Sequence, residues 1–167
     1  IETDFDPSRG YSSPQDPYSI ITAIGVYLDW MDSMICLAVP PRRISFEQAK
    51  EMTKHMPEVI LYKTEKEMLD AFLTVIDDAD ILSGWNSEGY DIPYIVNRII
   101  RVMGKAETRR LCLLKKLPKE RKFEQYGKEI TSFDLVGRVH LDYLNLYRKY
   151  NYEERHSYRL DYIGEME

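Results

Sequence analysis

The spacing of hydrophobic positions changes several times along the chain, and each change predicts a different element. Two runs rich in Ile, Val, Ala and aromatic residues, 19–30 and 33–41, are joined by a short polar link. This arrangement is typical of a β-hairpin, and the Pro pair at 40–41 would end its second strand. Residues 58–63 predict one further short strand.

The middle of the chain alternates between helical and extended patterns. Thr64 and Glu67 fit a capping box at the start of a run with helical spacing, 64–79. Residues 80–86, DILSGWN, predict a buried strand that runs into a turn. Residues 91–104 predict a helix, because a Pro lies in its first turn and a Gly ends it.

The last third of the chain predicts a second hairpin and two helical segments. Residues 121–134 have two alternating polar–apolar arms around 126–128, which indicates a β-hairpin. Residues 137–150 begin as a strand and become helical, and 157–167 begin another helix. Together these patterns predict an α/β domain, a mixed β-sheet flanked by helices with an extra hairpin.

Composition and charge narrow the class of protein. The 167 residues are 44% hydrophobic and 31% charged, which suits one globular domain spanning 1–167. No apolar run approaches the roughly 20 residues that cross a bilayer, so we expect no membrane partner. The two isolated cysteines, Cys36 and Cys112, are typical of buried free thiols in a reducing cytoplasm, so we expect a cytoplasmic location. The net charge of −5 argues against a module that holds nucleic acid on a broad basic face. Because the chain begins with Ile rather than Met, we expect an incomplete fragment of a longer protein.

Two acidic residues are candidates for metal chemistry. Glu2 would lie on a strand, and Asp91 lies at a predicted strand-to-helix junction, where α/β sheets usually place their ligands. Carboxylates from separate elements are what Mg²⁺ or Mn²⁺ prefers. The alternative for Asp91 is an N-cap of the following helix, and the alternative for Glu2 is a frayed terminal residue.

Four segments in order resemble one protein family. Residues 81–99, ILSGWNSEGYDIPYIVNRI, resemble the second exonuclease motif of family B DNA polymerases, Asn-x-x-x-(Phe/Tyr)-Asp. The opening IET is similar to the end of their first motif, Asp-x-Glu-Thr. Residues 137–142 resemble their Gly-Arg-x-x-x-Asp segment, and 157–165 resemble the helix before their third motif. The likeness covers nearly the whole chain and is greatest to the replicative polymerases of T-even-like bacteriophages.

This resemblance implies a ribonuclease H-like domain that proofreads for a polymerase on the same chain. Its partners would be the polymerase domains and DNA, the 3′ end of a single strand or frayed primer, in the host-cell cytoplasm if phage-encoded. The 3′-terminal phosphodiester would be hydrolysed with two Mg²⁺ or Mn²⁺ ions. By motif, Glu2 and Asp91 are the catalytic and metal-binding residues, and Asn86, Tyr90 and Tyr11 are the substrate-binding ones.

The sequence departs from the family pattern at the first and third motifs, and these departures limit what the resemblance implies about activity. The first motif requires an Asp immediately before Ile1, and the third, Tyr-x-x-x-Asp, is expected beyond Glu167. The Tyr158 to Asp161 spacing is one residue too short for that motif. With two of four carboxylates, we expect this chain alone to be inactive and both ends of the fold to be truncated. Two alternatives are a non-catalytic ribonuclease H-like structural or DNA-binding module of a polymerase, and a stand-alone exonuclease.

Overall fold

The computed structural model describes residues 1–125, 127–151 and 153–167, and these form eight strands and five α-helices. The strands are β1 Glu2–Thr3, β2 Ile21–Leu28, β3 Ser33–Ala38, β4 Val59–Leu61, β5 Ile81–Gly84, β6 Lys119–Gln125, β7 Lys128–Asp134 and β8 Val139–Asp142. The α-helices are α1 Phe46–Thr53, α2 Glu65–Val75, α3 Asp91–Val102, α4 Tyr143–Tyr150 and α5 Leu160–Met166. Two 3₁₀ helices cover Asp29–Met31 and Lys105–Leu111. None of the described helices is long and apolar enough to cross a membrane.

The main sheet is built around the predicted first hairpin, which is confirmed. Its strand order is β1-β2-β3-β4; β1 and β3 flank β2 in antiparallel orientation, and β4 runs parallel to β3. The hairpin register pairs Ala23 with Ala38 and Leu28 with Ser33. The segment between β1 and β2 has no strand of its own beyond an isolated bridge between Asp6 and Gly10, as its Pro and Ser content predicts.

Local capping signals explain where two helices start. The Thr64 side chain accepts from the Glu67 N–H, and the Glu67 side chain accepts from the Thr64 N–H, so the predicted capping box opens α2. Ser45 and Gln48 form the same box at α1, a helix that the sequence analysis did not predict. The amphipathic face of α1 is short, with Ala49 as its buried residue, which is why its periodicity was a weak signal.

The expected single mixed sheet is divided into three hydrogen-bonded groups among the described residues. β5 pairs with β8 in parallel, and β6 pairs with β7 in antiparallel orientation, each apart from the main sheet. β1 contributes only two residues, which pair with β2. The strand predicted within 80–86 is confirmed as β5, but the expectation that it is buried was wrong, because Ile81 is 56% exposed while Leu82 packs on the core.

The hydrophobic core lies between the main sheet and helices α2 and α3. Its buried members include Leu37 from β3, Leu73 from α2 and Ile99 from α3. The second hairpin, β6–β7, is confirmed over residues 119–125 and 128–134, although Tyr126 at its predicted turn lies outside the described residues. Because β7 packs against α3, the hairpin lies on the element that begins with Asp91.

Candidate functional site

The start of α3 carries Asp91 as its first helical residue. The cap position is Tyr90, which makes no side-chain capping hydrogen bond, so the interpretation of Asp91 as an N-cap was wrong. Pro93 lies in the first turn, where a missing N–H costs no helical hydrogen bond, as the sequence predicts. The Asp91 carboxylate is therefore directed to a tertiary partner instead of to its own helix.

That partner is the amino end of the chain. The Ile1 ammonium donates to Asp91 Oδ1 at 2.7 Å, and the Asp91 side chain is 26% exposed. The nitrogen carries a positive charge, so Asp91 already interacts with a cation in this chain. The contact brings β1, which contains Glu2, to the start of α3, although 90 positions separate the two residues in contact.

Glu2, Thr3 and Tyr90 lie in the same neighbourhood. Burial raises the pKa of Tyr90 above its ordinary value, and the negative charges of Asp91 and Glu2 add to this rise. A hydrogen bond with the Thr3 side chain opposes it. The Tyr90 ring also stacks on Tyr94 with ring centroids 5.6 Å apart. The charges of both predicted carboxylates thus act on Tyr90, and the contact of Ile1 with Asp91 brings the strand that carries Glu2 to the start of α3.

Asn86 and Tyr11 occupy different positions near this neighbourhood. Asn86 is exposed and adopts a left-handed backbone with φ of 56°, a conformation that Asn tolerates better than most residues. Tyr11 is 88% exposed, and its ring lies 5.0 Å from that of Phe5. Its neighbour Ser12 forms a hydrogen bond with the Tyr94 hydroxyl at 2.5 Å, so the Tyr11 loop rests on α3 one turn after Asp91.

The backbone between β5 and α3, which we call the 85–90 loop, is a compact turn. The N–H groups of Gly89 and Tyr90 donate to the Asn86 carbonyl at 3.2 and 3.1 Å, and the Ile92 N–H donates to the Ser87 carbonyl at 2.9 Å. A Cβ at Gly84 would lie 2.9 Å from the Ser87 Cβ, so a residue with no side chain is required there. The loop and the first turn of α3 consequently form one hydrogen-bonded unit.

Asp142 holds this loop from the other side. Its carboxylate accepts the Asn86 N–H at 3.0 Å and the Glu88 N–H at 2.9 Å, and it also caps α4 through the Leu144 N–H at 3.0 Å. Asp142 is therefore a local cap of α4, and its two contacts with the loop were not predicted from the sequence. Their only sequence signal was the distant Gly-Arg-x-x-x-Asp segment.

His140 adds a further contact to the loop from β8. Its Nε2 lies 2.9 Å from Ser87 Oγ. Burial lowers the pKa of His140, while the Asp142 carboxylate acts in the opposite direction. The imidazole therefore favours its neutral form, which suits a hydrogen bond to a hydroxyl group.

The remaining members of the Gly-Arg-x-x-x-Asp segment are structural. A Cβ at Gly137 would lie 2.7 Å from Leu114 Cγ, and its φ is 88°, so both packing and backbone require Gly. The Arg138 guanidinium donates to the carbonyls of Ile76 and Asp77 at the end of α2. Two adjacent residues thus fix β8 beside α2, which sets the position of Asp142.

The donor chemistry of this site suits a divalent cation, but the number of ligands is low. Carboxylate oxygens are the ligands that Mg²⁺ and Mn²⁺ prefer, and Asp91 and Glu2 offer them. Across the parts of the chain that the structure describes, no three His, Cys, Asp or Glu side chains come together in a group that could hold a metal ion. Asp161 lies in the segment that resembles the helix before the third motif; it is exposed, and its Oδ2 lies 3.4 Å from Arg159 Nη2.

The fold and site define an α/β domain with a carboxylate at the start of a helix and a clamped loop before it. The profile of the exonuclease domain of DNA polymerase family B matches residues 1–163. The chain therefore belongs to this family of exonuclease domains.

Individual relatives agree with the family match. The DNA-directed DNA polymerase of Escherichia phage RB69 is 38% identical over 109 residues, which cover 64% of this chain and 12% of that protein. The DNA-directed DNA polymerase of Enterobacteria phage T4 is 29% identical over 131 residues, covering 75% of this chain and 14% of that protein. The bovine DNA polymerase delta catalytic subunit is 31% identical over 111 residues, which cover 62% of this chain and 10% of that protein. The chain thus spans about an eighth of the phage relatives that it matches.

Proposed function

We propose that this domain is the 3′→5′ proofreading exonuclease of a DNA-directed DNA polymerase, with a ribonuclease H-like fold. The observation that carries the proposal is the convergence of β1 on the start of α3, which brings Glu2 and Asp91 to the same tyrosine. These are the two carboxylates that the first and second exonuclease motifs supply. The family match over residues 1–163 supports the same assignment.

The proposed roles of the residues follow from their positions. Glu2 and Asp91 would hold Mg²⁺ or Mn²⁺ together with carboxylates contributed by other segments. The bound ions supply charge neutralisation and activation of water for hydrolysis of a phosphodiester. Tyr90 packs on Tyr94 beside both carboxylates and positions Asp91.

Two exposed side chains are proposed as substrate contacts. Asn86 would touch the bound strand, because it is exposed on the 85–90 loop, which precedes Asp91. Tyr11 offers an almost fully exposed ring for stacking on the terminal unpaired base. The substrate would be the 3′ end of single-stranded DNA or a frayed primer.

We further propose that the 167-residue chain alone does not hydrolyse DNA. Two carboxylates cannot hold two divalent ions in tight geometry.

The experiment uses single-stranded DNA labelled at its 5′ end, Mg²⁺ or Mn²⁺, and two proteins, this chain and the polymerase that carries it. We expect stepwise release of mononucleotides by the polymerase and none by the chain. In the polymerase, Asp91→Ala should abolish release while nucleotide incorporation continues. Lys122→Gln on the exposed side of the hairpin is the control, with unchanged release. Release that survives Asp91→Ala would contradict the catalytic assignment, and a wild-type polymerase without release would favour a non-catalytic module.

A further inference from the structure

The β6–β7 hairpin and α4 both contact one residue of the 85–90 loop, Glu88. Its Oε1 forms an ion pair with the Arg121 guanidinium on β6, and its Oε2 accepts from Asn145 Nδ2 on α4 at 3.1 Å. Its backbone carbonyl accepts from Ser132 Oγ on β7 at 2.8 Å. Glu88 thus joins three elements that lie 33 or more positions away in the sequence.

The two side chains of the Glu88–Arg121 ion pair differ in how far they are buried. The Glu88 side chain is 15% exposed, whereas that of Arg121 is 41% exposed. A carboxylate so enclosed depends on its partners, because it has lost most of its hydration. Arg121 has a second partner, since its Nε lies 2.7 Å from Asp134 on β7. Neutralising Glu88 therefore removes the ion pair between the loop and the hairpin, although the Ser132 bond to the Glu88 carbonyl remains. Arg121 stays held on the hairpin by Asp134.

The loop transmits its position to Asp91 through main-chain hydrogen bonds. Glu88 lies three positions before Asp91, and the N–H groups of Tyr90 and Ile92 donate to carbonyls of this loop. A loop that shifts relative to the hairpin must therefore move the first turn of α3. The Asp91 side chain does not cap its own helix, and its contact is with the Ile1 ammonium.

We propose that Glu88 is a positioning residue, which anchors the 85–90 loop to the hairpin through Arg121 and so fixes the Asp91 carboxylate. The predicted effect of Glu88 on DNA hydrolysis rests on the proposed exonuclease function. The anchoring of the loop by Glu88 rests on the contacts alone. The hairpin would then influence the position of Asp91 through the Glu88–Arg121 ion pair, in addition to any contact that the hairpin makes with DNA.

The structural part is tested by hydrogen exchange and Trp fluorescence of wild type and Glu88→Gln. The variant keeps its size and an oxygen for Asn145, but loses the charge that faces Arg121. We expect exchange at the amides of Asn86 and Gly89 to rise about tenfold, as loss of a charge-assisted hydrogen bond implies, with β2–β3 amides unchanged. Emission from Trp85, in the same loop, should shift. Lys122→Gln, which removes a charge paired with exposed Glu129 on the same hairpin, should change neither.

Rescue distinguishes positioning from general stability. Arg121→Lys preserves the positive charge and should give a smaller change in loop exchange than Arg121→Gln. In the polymerase that carries this domain, Glu88→Gln should lower kcat for single-stranded DNA about tenfold, the lower limit for groups that orient metal ligands. KM should stay within a factor of about two, because substrate contacts are not removed.

The outcomes separate this inference from the proposed function. Unchanged loop exchange in Glu88→Gln, or equal effects in Lys122→Gln, would overturn the positioning role. If Glu88→Gln does not fold, Arg121→Gln at the more exposed partner decides the same question. If the wild-type polymerase releases no nucleotides, the proposed function fails, and the exchange and fluorescence data still decide whether Glu88 anchors the loop.

Discussion

Replacing Asp142 with Ala removes one carboxylate that accepts three backbone N–H groups, and we expect a large loss of stability. The bond to the Leu144 N–H is an N-cap, worth about 1 kcal/mol. The bonds to the Asn86 and Glu88 N–H groups are charge-assisted but partly solvated, so we assign about 1 kcal/mol to each. The free energy of unfolding should therefore fall by about 3 kcal/mol.

Asp142→Asn separates the three contributions. Oδ1 accepts from both Asn86 and Leu144, whereas Oδ2 accepts from Glu88 alone. Asn is also a good N-cap, so its single oxygen can replace Oδ1 and keep two of the three bonds. The amide nitrogen would then face the Glu88 N–H, and we expect a loss of about 1 kcal/mol.

Urea unfolding followed by Trp fluorescence and circular dichroism measures both losses. In a chain of this size, 3 kcal/mol corresponds to a fall in Tm of about 6–12 °C. Asp161→Ala is the control, because this carboxylate is 66% exposed and should contribute less than about 0.5 kcal/mol. The reasoning is refuted if Asp142→Ala costs no more than Asp161→Ala, or if Asp142→Asn costs as much as Asp142→Ala.

Three further predictions concern buried groups. Glu65→Ala leaves the buried Arg98 guanidinium without its carboxylate and should cost about 3–5 kcal/mol in urea unfolding; a loss below 1 kcal/mol would contradict this role. Because burial lowers the pKa of His140 in the folded state, the unfolded chain binds more protons, and stability should fall as pH drops below about 6.5 and level off below the folded pKa. His140→Gln should flatten this dependence of stability on pH between pH 7.5 and 5.5. An unchanged slope would exclude His140 as its source. Burial raises the pKa values of the Cys112 and Cys36 thiols, so a thiol reagent should modify fully buried Cys112 only on unfolding; rapid modification of the folded protein would show that it is accessible.

Much of the fold was predictable because its signals are local. The first hairpin, the capping box of α2, the start of α3 and the second hairpin each arise from residues that are neighbours in sequence. Helix α1 was missed because its apolar face is short, although Ser45 and Gln48 carry a clear cap signal. The exposure of β5 could not be predicted, because the residue types of a four-residue strand do not indicate how many neighbouring elements will cover it.

The sequence by itself determined the class of the domain and the identity of its candidate carboxylates. Motif spacing singled out Glu2, Asn86, Tyr90 and Asp91, because a motif needs only residue types in order. The tertiary structure decided the partners of these groups. Asp91 meets the Ile1 ammonium, and the loop before it is held by Asp142 and Glu88. These contacts join residues 33 to 90 positions apart, and periodicity carries no information over that distance, since only the packed fold brings the charges together.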